Sequence, residues 1–519
     1  MRKLTVLAML AAVLIAAPMF AVQRHLTPAP NATFAFGVGG AAFGPTTTNN
    51  DDSCDIGNAP AATLLLPYFD VDIKSPQTTA RTTLFTITNV SAEPQIAHVV
   101  IWTDWSFPVM DFNIFLTGYD VQAINLYDIL ERGVIAPTSG TSSLTDVPVN
   151  PTPGSTPFSN IAGTSVGVNP NLDPTLAGCT NLPGAIPPGL LTDAQLMLTT
   201  GVGSGAGNAC TSRVGGTHND AIGYITVDVN ANCNTTLPTT PSYYTANLLF
   251  DNVLIGDYEN VQPNTATANA AGGANMVSIR AVPEGGFAGS VLTPPTNLPF
   301  TFYDRYTTTL ADRRTDRRQP LPATFAARYI NAGTGSFNTN YQIWREGTVV
   351  NACTTATSTP NSSIAFTEFV KFDEHENANI AGGGVIISPA PPGSGLPETS
   401  STPVSGAVFP AQPSAAGDVA GWTYLNLDNN QATTAVAGYS RDNVAGARRP
   451  SQNWVTVNMQ AESRFSVLFD ANWLGNGCSA QVPAGAQIGP SGGIFVCPPP
   501  LAPGAGCASS PIGTNITPP

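Results

Sequence analysis

The feature that most constrains this chain is a succession of short β-branched and apolar runs, each closed by Gly, Pro, Asn or Ser. It is clearest between Thr82 and Leu130 (TTLFTITNVSAEPQIAHVVIWTDWSFPVMDFNIFLTGYDVQAINLYDIL). Runs of this length favour strands over helices. Thr82 to Thr88 and Ala97 to Thr103 are separated by a loop holding Asn89, Ser91 and Pro94. Phe112 to Thr117 turns at Gly118-Tyr119-Asp120 into Val121 to Leu126, so the stretch predicts a β-meander. In the second run Ala97, Val99, Ile101 and Thr103 share one face, and His98, Val100 and Trp102 share the other. Both faces are largely apolar, which predicts a strand covered on both sides.

The pattern continues outside this stretch. Ala61 to Phe69 reads as a first strand, placed at a sheet edge because Pro67 lacks a donor. Leu126 to Arg132 reads as a short helix capped by Asn125 and stopped by Gly133, and Asp193 to Thr200 as a second, capped by Thr192 and ended by Gly201. Further strands are expected at Ala221 to Val229, Tyr243 to Phe250 and Met276 to Val282. After the charged run Ala311 to Gln319 they resume at Thr324 to Ile330, Tyr341 to Arg345, Ile364 to Phe372, Gly383 to Ser388, Gly421 to Leu427, Trp454 to Gln460 and Phe465 to Phe469. The expected fold is mainly β: two antiparallel β-sandwich-like domains with long loops and a few short helices.

The chain divides as follows: 1–21 signal peptide, 22–58 low-complexity segment, 59–318 first sandwich with a loop insertion at about 136–190, 319–477 second sandwich, and 478–519 a Cys/Gly/Pro-rich tail. Two segments share a pattern: Gly223-Tyr224-Ile225-Thr226-Val227-Asp228 and Gly421-Trp422-Thr423-Tyr424-Leu425-Asn426. Each is followed by Leu-Phe-Asp, at Leu249-Phe250-Asp251 and Leu468-Phe469-Asp470. A duplicated β unit accounts for both coincidences.

Arg2 and Lys3, an apolar run from Leu4 to Phe20 and a small residue at Ala21 read as a secretory signal peptide, with no membrane span after its removal. Eight cysteines, Cys54, Cys179, Cys210, Cys233, Cys353, Cys478, Cys497 and Cys507, contain no Cys-x-x-Cys pair and suit structural disulfides in an oxidising compartment. Charged residues make up 10% of the chain and the net charge is −14. With only Lys3, Lys74 and Lys371 as lysines, the surface is a poor match for nucleic acid.

Chemistry-bearing motifs are sparse. Gly163-Thr164-Ser165-Val166-Gly167 matches the Gly-x-Ser-x-Gly elbow but lies in a Pro/Asn-rich loop without the strand and helix that chemistry requires. The histidines, His25, His98, His218 and His375, form no zinc-binding pair, and His98 alternates with core residues. Asp104 and Asp111 flank Trp105 and Phe107, an arrangement suited to stacking on and cleaving or holding a sugar. Asp70 with Asp72, and Asp373 with Glu374 in Phe372-Asp373-Glu374-His375-Glu376-Asn377, supply hard oxygen donors suited to Ca²⁺. Asp257 and Glu259 also share a strand face, and Leu396-Pro397-Glu398-Thr399-Ser400 resembles a sortase sorting signal but is internal, with no apolar span and basic tail after it, and is read as a chance match.

Pro67-Tyr68-Phe69, the run Leu84 to Asn89 and Phe112 to Leu126 resemble a group of uncharacterised exported bacterial proteins. The resemblance covers mainly residues 54 to 133 and, more loosely, GYITVDV and FDEHEN. It implies export and domain extent, and carries no activity. The expected function is a secreted extracellular or cell-surface structural or adhesive protein. Its partners would be a surface glycan, a protein or a second copy of itself. The alternative is carbohydrate binding or hydrolysis around Trp102 to Asp111.

Overall fold

A computed structural model describes residues 56–57, 59–91, 95–116, 118–134, 186–205, 212–230, parts of 235–262, 270–280, 302–303, 321–331, 337–347, parts of 364–380, parts of 396–409, 419–427, 452–461, 465–474, 487–488 and 494–495. The expected signal peptide, all eight cysteines, the Gly-x-Ser-x-Gly match, the run Ala311 to Gln319 and the expected strand Gly383 to Ser388 lie outside these residues.

Ten strands build the first sandwich: β1 (Ile56–Gly57), β2 (Thr63–Val71), β3 (Thr82–Asn89), β4 (Gln95–Thr103), β5 (Pro108–Leu116), β6 (Val121–Asn125), β7 (Ala221–Asn230), β8 (Leu254–Gln262), β9 (Ala270–Asn275) and β10 (Val277–Ile279). They form a six-stranded sheet, β1-β10-β2-β7-β4-β5, facing a four-stranded sheet, β6-β3-β8-β9. Two helices, α1 (Leu126–Leu130) and α2 (Pro188–Thr199), pack on its rim. The second sandwich uses β11 (Thr324–Ile330), β12 (Phe337–Arg345), β13 (Glu368–Asp373), β14 (Ala378–Ile380), β15 (Thr399–Pro403), β16 (Ala420–Asn426), β17 (Asn453–Ala461), β18 (Phe465–Asp470) and β19 (Asn472–Trp473). Its sheets run β14-β13-β16-β11-β19 and β15-β12-β17-β18. All sheet pairings in both sandwiches are antiparallel.

Strand for strand, the two sandwiches have one topology. Reading β2 to β10 against β11 to β19 in chain order, every strand occupies the same sheet and the same place in it. The register agrees at the centre. Phe69 faces Gly223 and Trp102 faces Tyr224 in the first sandwich; Tyr329 faces Gly421 and Phe372 faces Trp422 in the second. Both glycines lie where a neighbouring strand closes in. A Cβ would stand 2.0 Å from the Trp102 carbonyl oxygen at Gly223 and 2.0 Å from that of Phe372 at Gly421. Both aromatic pairs stack, Trp102 on Tyr224 at 5.7 Å and Phe372 on Trp422 at 4.2 Å. The Leu-Phe-Asp repeat is not equivalent: Leu249 lies in no strand, whereas Leu468 lies in β18.

Several expectations need correcting. The stretch Thr82 to Leu130 is not a meander, because β3 and β6 pair in one sheet while β4 and β5 pair in the other. Pro67 does not mark an edge: β2 lies between β10 and β7, and a register shift between Leu66 and Phe69 absorbs the missing donor. The helix expected from a Thr192 cap starts at Pro188, whose fixed φ and absent N–H suit a first helical position. Of the strand expected at Tyr243 to Phe250, the described residues Tyr243, Asn247, Leu248 and Leu249 lie in no strand, Leu248 making only an isolated bridge to Asn230, and β8 and β9 were hidden by polar and glycine-rich sequence. Strand β4 is buried along its whole length, as its two apolar faces predict. Ala97, Val99 and Ile101 enter the core between the first two sheets, and Val100 and Trp102 join a second core shared with Phe325, Tyr341 and Trp344 of the second sandwich. Helix α1 begins as expected, with the Asn125 side chain accepting from the Tyr127 amide.

Candidate functional site

Of the residues singled out by sequence, Asp70 and the Asp104 hairpin lie at the seam between the sandwiches. There the outer face of β15-β12-β17-β18 packs against β2, β7 and β9, and Leu468 of β18 enters the first core. Between β4 and β5 the hairpin runs Thr103-Asp104-Trp105-Ser106-Phe107. Thr103 Oγ1 accepts from the amides of Trp105 (3.3 Å) and Phe107 (3.1 Å), and Ser106 takes a positive φ of 61°. That backbone aims Asp104 at the segment after α2: Oδ1 accepts from the Gly216 amide at 2.8 Å and Oδ2 pairs with His218 Nε2 at 2.9 Å. Ser106 Oγ contacts the Tyr224 hydroxyl and donates to Glu398 of the second sandwich, and the Thr399 amide donates to the Asp104 carbonyl at 3.3 Å.

These contacts decide what the carboxylate and aromatic set can do. Trp105 is 3% exposed and joins the inter-sheet core, so its ring is not open for stacking, and Phe107 packs half-buried against the same core. Asp111 lies on β5 facing away from that core, and burial pushes its carboxyl up to about 6. Asp104 and Asp111 therefore do not converge on a shared cleft with Trp105. Ser, His and Asp are all present, but His218 binds Asp104 while Ser106 turns to Tyr224 and Glu398. The serine therefore faces a carboxylate across the seam and not the imidazole, so the three do not form a Ser-His-Asp relay.

The FDEHEN stretch is the same hairpin in the second sandwich. Asp373 takes the place of Thr103: its Oδ1 accepts from the amides of His375 and Asn377, both at 2.9 Å, and Glu376 takes a φ of 65°. Its Oδ2 accepts from Asn377 Nδ2 at 2.9 Å, so Asp373 serves as the turn's cap. Glu374 is exposed. Asp72 is likewise a cap, accepting from the Lys74 and Ser75 amides, whereas Asp70 turns to Arg81. The four expected calcium ligands lie in different sandwiches, and among the described residues no group of three or more His, Cys, Asp or Glu is placed to hold a metal.

Asp70 instead helps line a cleft of about 180 Å³ at the seam, with Tyr68, Arg81, Asn260, Gln342, Asn458 and Gln460 around it. Asn260 Nδ2 donates to Gln342 Oε1 across the seam at 3.2 Å, and the Tyr258 hydroxyl to Thr456 at 3.3 Å. Arg81 bridges Asp70 and Asp220. Burial raises the Asp70 carboxyl, and Arg81 opposes the rise. Asp70 Oδ1 and Arg81 Nε are buried without hydrogen-bond partners. Sequence reasoning flagged Asp70 but missed the cleft, because its amides come from strands far apart in the chain.

On the outer face of the six-stranded sheet, Asp228 is fully buried and accepts from Thr63 (2.5 Å), Tyr243 (2.6 Å) and Tyr303 (2.8 Å). His98 stands opposite it across the β4–β7 pair, its Nδ1 at 2.9 Å from Asn113 Oδ1. Among known proteins the chain matches no family model, no curated sequence and no solved structure.

Proposed function

We propose that this is an exported structural or adhesive protein without catalytic activity, working outside the cytoplasm through exposed sheet faces and loops. One observation carries the reading: the polar groups of the Asp104 hairpin are engaged in holding structure, the carboxylate within the first sandwich and the Ser106 hydroxyl and Asp104 carbonyl across to the second. Asp104 holds Gly216 and His218, and Ser106 holds Tyr224 and Glu398. Asp104 is buried, and its His218 partner is not in contact with Ser106, so the hairpin does not assemble a nucleophile with its base. The leader-like amino terminus supports export, and the acidic, lysine-poor composition supports a partner other than nucleic acid. The test is a panel of chromogenic esters, peptides and glycosides incubated with purified protein, beside adhesion to cell surfaces. No turnover is expected, and turnover abolished by Asp104→Asn would overturn the reading.

A second reading is favoured by the seam cleft. Its amides, with the unsatisfied Asp70 Oδ1 and Arg81 Nε, offer the mixed donors and acceptors that a sugar hydroxyl array requires. Glycan-array binding lost in Asp70→Ala, with folding intact, would establish it; a blank array would remove it.

A further inference from the structure

The seam inside the chain is a template for a contact between chains. Within one chain the outer face of the second sandwich's four-stranded sheet covers the first sandwich. Because the sandwiches share one topology, each strand at the seam has a counterpart in the other sandwich. The counterpart of the covered surface, on the second sandwich, is open: Trp422, which takes the place of buried Tyr224, is 38% exposed, and Arg328, which takes the place of buried Tyr68, is exposed. The counterpart of the covering face, β6-β3-β8-β9 of the first sandwich, is open too, with Val121, Asp257 and Glu259 exposed.

Resting on the structural reading above, we infer that copies of this chain associate head to tail, the outer face of β6-β3-β8-β9 in one copy covering the β11–β16–β13 face of the next. Counterparts across the seam are complementary by kind. Tyr68 and Asn458 line one cleft inside the chain; at their places the inter-chain contact brings Arg328 and Glu259 to the two sides of one cleft, opposite charges within it. Asp70 and Gln460 line the same cleft; at their places stand Ile330 and Val261, an apolar pair. One pair opposes association: Glu376 replaces Ser106 and meets Asp120, which replaces Glu398. The contact between chains is therefore weaker than the seam within them. Two different surfaces meet, so the contact repeats into a filament or closes as a ring.

The test uses the full chain in sedimentation velocity over a concentration series. Wild type is expected to associate progressively, and Arg328→Glu or Glu259→Arg alone to weaken association by about tenfold or more, since each sets like charges together. The double variant Arg328→Glu/Glu259→Arg restores the pair with its signs exchanged and is expected to recover association. Both side chains are exposed, and circular dichroism checks that each variant folds. A wild type that stays monomeric, single variants that associate like wild type, or a double variant that does not recover would each overturn the inference. A monomeric chain that still adheres to a foreign surface would leave the structural reading standing; substrate turnover would end that reading.

Discussion

Asp228 and His98 face each other on β7 and β4, both fully buried, and burial moves their proton affinities in opposite directions. The Asp228 carboxyl is pushed up to about 6 by burial, against the pull of its three hydroxyl donors, and His98 is lowered to about 4. Burial likewise raises Asp111 and Asp470 to about 6. Between the ordinary carboxylate value and 6 the folded state holds protons on these acids that the unfolded chain has released, so stability falls as pH rises through that window. His98 acts oppositely from about 4 to 6.5, because there the unfolded chain holds the extra proton. Three acids against one histidine leave a net loss, at most about 3 kcal/mol from fully buried Asp228 alone. Thermal unfolding is expected at a higher temperature near about pH 4.5 than near about pH 7.5, and Asp228→Asn to reduce that difference. An unchanged pH profile in the variant would count against the assignment. At the sheet centres, Gly223→Ala and Gly421→Ala are each expected to destabilise by about 1–3 kcal/mol, because the added carbon meets a carbonyl oxygen that cannot move aside. Urea midpoints measure both.

The two hairpins share a backbone and differ in what they touch, and that difference is testable at the level of the element. Each holds a residue with a side chain at positive φ, Ser106 or Glu376, where an L-residue costs about 1–2 kcal/mol relative to glycine. Glu376→Gly, at an exposed turn, is expected to stabilise by about 1 kcal/mol. Ser106→Gly forfeits the ties to Tyr224 and Glu398 and is expected to destabilise. Equal shifts in both midpoints would mean that the seam hairpin is not held by its side chains.

The same hairpins show what was legible in the sequence. The apolar and alternating runs of β4, β11 and β16 placed those strands, and Asn125 marked the start of a helix that ends at Leu130, two residues short of the expected Arg132. The equivalence of TDWSF and DEHEN was hidden because threonine and aspartate cap the turn in the same way with different chemistry. The partition of β3 to β6 between two sheets was hidden too, since an inter-sheet crossing and a hairpin both need only a short polar loop. Trp105 drew attention as an aromatic among carboxylates. Its burial was decided by the neighbouring sheet, which the local sequence does not encode.

At the scale of the whole molecule, the seam makes two equivalent sandwiches one body. The second core runs from Val100, Trp102 and Tyr224 of the first sandwich into Phe325, Tyr341 and Trp344 of the second. Trp344 is its centre, stacked on Phe302 at 5.3 Å and edge-on to Tyr224 at 5.8 Å. A core continuous across the seam couples the unfolding of both halves. Removing the indole is expected to cost about 3–5 kcal/mol and to uncouple them. Differential scanning calorimetry of the full chain tests this directly. One transition in the wild type, dividing into two in Trp344→Ala, is the predicted result; two separate transitions in the wild type would contradict it.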